Sequence, residues 1–478
     1  MSSANALGAS SEKIKEKQGH PAGFWFFFWG EFAERCSYYG MRAILPLYLT
    51  TALHFGLDSS NKIYFGFKMA CYFLPLVGGF LADRYFGKYW TIVGFSIPYI
   101  LGHFVLGIEN NLALFIALAL LAGGSGVIKP NISTLMGQTY DQQRPGNERL
   151  RSSAFLWFYF SINVGAVIST FTLPSVRDEY GYATAFQIPA WLMVGSFIVF
   201  AAGKRFYAVE TLDYRPKTPE ERIQQRKTFM QLCGIFALMI FFWVAYEHND
   251  SMWVFFSEDY INRSVPTWAS IPTKLGITED SSRWVRWMLN APGVAKPFAP
   301  DQIQFLNPLF VLIFVPFFSW FFAKIDPTFR VFRPTRKILM GFAFTAASVG
   351  IVTAAAYQSR TTGMLVPMGW MVAAYVVLTA GEVLLYGTGL ELAYAAAPKN
   401  MKGFVTACFL LTNTLGNLIN LKYCDLYGGK LSDPSEKRGP LSPEAFFGLT
   451  GLIVVAATIA FYFVGKRFDR LQHQGEAS

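Results

Sequence analysis

Long apolar runs recur from end to end of this 478-residue chain, and a run of roughly 20 mostly apolar residues is what crosses a bilayer as a helix. The runs fall at 23–53, 63–83, 89–108, 112–137, 152–175, 184–206, 228–258, 302–324, 337–358, 364–397, 403–427 and 443–466. They predict an all-α integral membrane protein with twelve transmembrane helices. Composition agrees: 53% of the residues are hydrophobic and 15% charged, where a soluble domain has about 25% charged. A water-soluble enzyme and a disordered chain are therefore both excluded. Residues 1–20 are polar and the first run extends well past signal-peptide length, so no cleavable leader is expected. Cys36, Cys71, Cys233, Cys408 and Cys424 sit in apolar stretches without CxxC spacing and read as buried thiols.

Charge placement gives an orientation. With the N-terminus in the cytoplasm, that side collects Lys13, Lys15, Lys17, Arg84, Lys88, Arg144, Arg149, Arg151 and the block from Lys204 to Lys227, while the opposite loops 109–111 and 359–363 are nearly bare. The positive-inside rule then puts both termini in the cytoplasm. The formal charge of +10 is spread over one membrane face, which points to anionic lipid and not to nucleic acid. The charged stretch 204–227 divides the chain, giving a tail at 1–22, a six-helix bundle at 23–206, a linker at 207–227, a second six-helix bundle at 228–466 and a tail at 467–478. The ERIQQRK end of that stretch reads as a short amphipathic surface helix. Trp268, Trp284 and Trp287, in the long connection 259–300, are expected at headgroup level. Six plus six is the layout of transporters whose site lies between two pseudo-symmetric bundles.

Ionisable residues at mid-membrane cost about 2.5–3.5 kcal/mol or more and mark paired sites or pathways. In the first span, Glu31, Glu34, Arg35, Tyr38 and Arg42 share one stripe at about 100° per residue, with Tyr39 at its edge. That many charges face a partner helix or a wet cavity, not lipid. Lys129 follows in the fourth span before Pro130, Glu247 in the seventh and Glu382 in the tenth, with amides at Asn163 and Asn307. The two halves correspond: Arg42 against Glu247, and Lys129 against Glu382, are the expected pairs across the interface. A cavity with one positive and one negative wall suits a zwitterion. Lys68 reads as a snorkelling lysine, His103 as a satisfied interior histidine, and His248 as a residue to test as a proton carrier.

The residues also resemble a known family. EFAER (31–35), GGFLADRYFGK (78–88), GSGVIKPNISTL (124–135), FYFSINVG (158–165), FFWVAYE (241–247), QFLNP (304–308) and GEVLLYGTGLELAYAAAP (381–398) are similar, in order, to motifs of the proton-dependent oligopeptide transporter family of the major facilitator superfamily. The resemblance runs from about residue 23 to 466. It implies a proton-coupled symporter of di- and tripeptides, not an enzyme, with protons as the coupling ion and no other cofactor. It implies that Arg35 and Arg42 receive the peptide carboxylate with support from Lys129, and that Glu382 takes the amino terminus. Asn163 and Asn307 would hold the backbone, with Tyr38, Tyr39 and Tyr72 lining the pocket. Glu31, Glu34, Arg35 and Glu247 would couple the proton, and Arg42–Glu247 and Lys129–Glu382 would be the outer and inner gate pairs. His248 stands where the family often has Gln, and Phe409 where it has Trp. A monomer in a bacterial inner membrane is expected. The alternatives are transport of nitrate or another small anion, which leaves the acidic wall without a purpose, a membrane enzyme built on His103 or His248, and a membrane-embedded structural partner, which leaves the polar stripe unexplained.

Overall fold

The computed structural model describes residues 19–210, 219–264, 297–325, 332–389, 392, 402–429 and 439–476. Trp268, Trp284 and Trp287, the middle of the 207–227 stretch, and residues 390, 391 and 393–398 of the tenth-span motif lie outside them.

The described residues are almost wholly helical. In chain order they form α1 (Gly23–Leu47), α2 (Leu57–Leu81), α3 (Lys88–Leu106), α4 (Asn111–Gln143), α5 (Glu148–Ala202), α6 (Pro219–Tyr246), α7 (Met252–Tyr260), α8 (Leu306–Ile325), α9 (Pro334–Thr362), α10 (Gly369–Glu382), α11 (Lys402–Tyr423) and α12 (Pro443–Glu476). One short parallel strand pair, Ile261–Asn262 with Val366–Pro367, joins two loops. Among the described residues, nine helical segments are long and apolar enough to cross a membrane. The fold is that of a multi-pass helical membrane protein.

Punctuation residues explain the breaks. α5 is interrupted at Gly181, whose φ of 83° is open to glycine at little cost. At Gly87, φ 73°, the chain turns from a π-helical stretch (Ala82–Phe86) into α3. The first amides of α3 are capped by Glu210, whose carboxylate accepts from Lys88 N at 2.8 Å and Tyr89 N at 2.9 Å. Asn110 caps α4 by accepting from Leu112 N at 2.8 Å. Residues 221–227 do not form a separate surface helix; no proline interrupts 220–246, and they are the first turns of α6.

Helices pack through small residues, as expected where lipid supplies no hydrophobic drive. A Cβ on Gly78 would lie 2.5 Å from Val127 Cα, so α2 and α4 touch backbone to backbone. α1 packs along α5, α3 along α4, and α9 along α12 and α10, while α11 crosses onto α2 and α8 onto α5. Large apolar side chains such as Trp29, Leu101, Trp191, Trp320 and Phe463 are exposed on the periphery. A soluble protein would bury such a belt; here it faces acyl chains.

Candidate functional site

The polar stripe of α1 is turned inward. Glu31, Glu34 and Arg35 are each 3% exposed or less. Arg35 Nε lies 3.0 Å from Glu31 Oε1, and Arg35 also pairs with Glu34. Tyr99 of α3 donates its hydroxyl to Glu34 Oε1 at 3.0 Å. The Arg35 guanidinium faces the Tyr38 ring, 5.5 Å from its centroid, and Arg42 faces Tyr39 at 4.9 Å. Further along the same wall, Lys129 Nζ sits 5.0 Å from the Tyr72 centroid; among the described residues it makes no ion pair. His103 meets Ser37 at 2.9 Å. Because Ser37 gives its proton to the Pro189 carbonyl at 2.7 Å, it accepts from His103, which ties α1, α3 and α5 together.

The second half of the chain carries its own buried acid, Glu382. Asn307, at the start of α8, donates from Nδ2 to Glu382 Oε2 at 2.7 Å and to Thr379 Oγ1 at 3.1 Å. A π-helical stretch (Val383–Gly387) begins directly after Glu382; such bulges loosen a helix and recur at functional sites. Asn163 donates to the Tyr159 carbonyl of its own helix at 2.9 Å. Phe409 is buried against Tyr386, ring centroids 5.6 Å apart.

The expected Arg42–Glu247 pair is corrected by the structure. Arg42 Nη2 donates to Asp250 Oδ1 at 3.1 Å. Glu247 is instead bound by Lys68 Nζ, which also reaches Asp250, and by Asn413 Nδ2 of α11 at 2.7 Å. The cause is local: α6 tightens into a 3-10 turn at Glu247–Asp250, where residues three apart eclipse. Both carboxylates then point the same way. Lys68 does not snorkel; it is fully buried. His248 points into the core of the second half, with Nε2 3.3 Å from Asn420 Oδ1 and its ring stacked on Tyr423.

Lys129 and Glu382 are likewise not paired in this structure. Each keeps the partners named above, because the polar contacts between the halves gather at the end where α1 stops. There Ser251 donates to Asn61 at 2.8 Å, and Lys62 lies 3.2 Å from Asp425. Elsewhere between the halves Arg177 pairs with Asp301, Gln302 donates to the Phe171 carbonyl at 2.8 Å, and Gln304 donates to the Ala43 carbonyl at 3.1 Å. The two halves of the chain are clasped at that end. Sequence reasoning missed Asp250, Tyr99, Asn413 and the Arg177–Asp301 clasp. An acid three residues after Glu247 was the one available signal.

Many membrane-length helices, with buried ion pairs joining the two halves of the chain, define a multi-pass membrane protein. A model of the POT family matches residues 89–219 and 287–429, more than half of the chain, and the chain belongs to that family. Solute carrier family 15 member 2 of Rattus norvegicus is 30% identical over 383 residues, covering 73% of this chain and 50% of the relative. Peptide transporter family 1 of Drosophila melanogaster is 28% identical over 385 residues, covering 70% of this chain and 48% of the relative. The chain thus spans about half the length of these curated relatives. The crystal structure of the POT family transporter PepTSo superimposes with a TM-score of 0.75 at 25% identity, covering 94% of this chain and 99% of that one.

Proposed function

We propose that the chain is a proton-coupled symporter that imports di- and tripeptides by alternating access between two six-helix bundles. The break at Gly181, the charged α1 and α11 bring the nine apolar segments to twelve spans. The bundles are 23–206 and 228–466, joined on the cytoplasmic side by 207–227, with both termini cytoplasmic and the molecule a monomer in a bacterial inner membrane. The clasped end is then the outer one, and the cleft opens inward.

One observation supports this reading: the basic groups Arg35 and Lys129 belong to the first half of the chain, while Glu382, held by Asn307, belongs to the second. A peptide is a zwitterion, and taking it from water is unfavourable unless both ends find partners. Arg35, Arg42 and Lys129 receive the carboxylate, with the arginine fork suited to bidentate binding. Glu382 takes the ammonium, Asn163 and Asn307 hold the backbone, and Tyr38, Tyr39 and Tyr72 give aromatic walls that tolerate varied side chains. A small anion would have no use for the Glu382 wall.

Coupling follows from competition. Glu31 and Glu34 hold Arg35 in an internal pair; a proton on Glu34 frees it for the peptide carboxylate. Glu247 is the second coupling acid. Lys129 and Glu382 close the inner side when the outer clasp parts. The test is purified protein in liposomes with labelled dialanine and an imposed proton gradient. The reading requires uptake that depends on the gradient and is competed by varied dipeptides but not by nitrate or free amino acids; uptake indifferent to the gradient, or nitrate competition, refutes it.

A further inference from the structure

The outer charge cluster allots its cations unequally. Arg42 contacts Asp250, whereas Lys68 reaches Asp250 and Glu247 together. The second Glu247 oxygen is held by Asn413, a neutral amide that is itself fixed by Asn417 Nδ2 at 2.8 Å. The Arg42 side chain is 13% exposed and the other three charged side chains 3% or less. Two cations thus balance two carboxylates in a buried place. The other ionisable groups whose fields reach the cluster are Tyr38, Tyr39, Tyr64, Cys71, Tyr72, Tyr246, Tyr375 and Glu382.

We propose that Lys68 is the cation with which the coupling proton competes for Glu247, and that Arg42 stays on Asp250 through that step. This rests on the transport reading above. The proton adds to a Glu247 carboxylate oxygen and forms the only new bond. Lys68 is then left sharing Asp250 with Arg42, so two positive charges face one negative charge in a buried site. Surplus buried charge is strongly unfavourable. It is relieved when α2 parts from the 247–250 turn and water reaches the Lys68 ammonium, the first step in opening the outer clasp. Asn413 continues to hold the neutral carboxyl in register for the return.

The experiment uses the full chain in liposomes, with Lys68→Met, Glu247→Gln and the charge-balanced double variant. Dialanine counterflow without a gradient, gradient-driven uptake and the yield of monodisperse protein are each measured. Lys68→Met leaves two carboxylates against Arg42 alone, so exchange or folded yield falls by about ten-fold or more. The double variant restores neutrality and regains exchange, or folded yield, to within about three-fold of wild type while remaining uncoupled from the gradient. A double variant no better than Lys68→Met overturns the proposal, as does Lys68→Met that accumulates dialanine like wild type. Wild-type protein that exchanges no dialanine refutes the transport reading itself, and the proposal with it.

Discussion

Arg42 Nη2 lies 3.1 Å from Asp250 Oδ1, so the last turns of α1 are tied to the 3-10 turn that ends α6. The pair joins the two halves of the chain at the clasped end. Asp250→Ala leaves the Arg42 guanidinium buried with its acceptor gone. Breaking a buried pair by removing one partner costs about 3–5 kcal/mol. Thermal unfolding in detergent should show that loss, and a midpoint within a degree or so of wild type would contradict the assignment.

The Arg177–Asp301 clasp makes a separate prediction. Asp301 is fully buried and Arg177 nearly so, and neither belongs to the charged walls. Asp301→Asn should therefore weaken closure without touching the walls. Labelling of a cysteine placed at Ser175, beside Gln302, should become faster from the outer side by about ten-fold, the equivalent of one weakened buried ion pair. Unchanged labelling would mean that the clasp does not hold the cleft shut.

On the proposed reading, a change at Glu34 should separate coupling from binding. Its carboxylate pairs with Arg35 and accepts from Tyr99, so Glu34→Gln keeps the shape and loses the titrating group. Gradient-driven uptake should be abolished while counterflow exchange survives. Full proton-driven accumulation by this variant would remove Glu34 from the coupling scheme.

Packing at Gly78 is testable apart from transport. A methyl there meets Val127 Cα at 2.5 Å, against backbone that has no rotamer to move. Gly78→Ala should destabilise by about 1–3 kcal/mol, the range for overpacked sites, and lower the unfolding temperature. A neutral result would mean that α2 and α4 separate easily.

The segment before α1 is expected to respond to pH. His20 lies 2.6 Å (Nδ1) from the Tyr140 hydroxyl and stacks on Phe24. Partial burial, then the nearby Arg144 guanidinium, hold the imidazole below its ordinary value of 6.5. The folded state therefore favours neutral His20, so its contribution is present above pH 6.5 and is lost as the pH falls through and below that value. Hydrogen exchange over residues 20–24 should quicken between pH 7.5 and 5.5, after correction for intrinsic rates, and His20→Gln should flatten the change. A wild-type response identical to that of His20→Gln would contradict this.

Much of the architecture was legible because hydropathy reads membrane spans directly, and because a charged stripe such as Glu31, Glu34, Arg35 and Arg42 has one tolerable orientation in lipid. The cluster of Arg42, Lys68, Glu247 and Asp250 was not legible. Read at 3.6 residues per turn, Glu247 and Asp250 point about 60° apart; the 3-10 turn that aligns them depends on tertiary contacts. Lys68 was misread because position along an apolar run reports depth and says nothing about a carboxylate from the other half. Phe409 and His248 were visible as departures, but only packing shows that His248 faces Tyr423 and Asn420 and not the charge cluster.

The central claim is that two walls of opposite charge hold the two ends of one peptide, and competition by capped peptides tests it most directly. Dialanine, N-acetyl-dialanine and dialanine amide are compared as competitors of labelled dialanine exchange in wild type and in Glu382→Gln. The account predicts that either cap weakens competition by about ten-fold or more in wild type, and that in Glu382→Gln the acetyl cap no longer matters while the amide cap still does. Capped and free peptides competing equally well in wild type would contradict it.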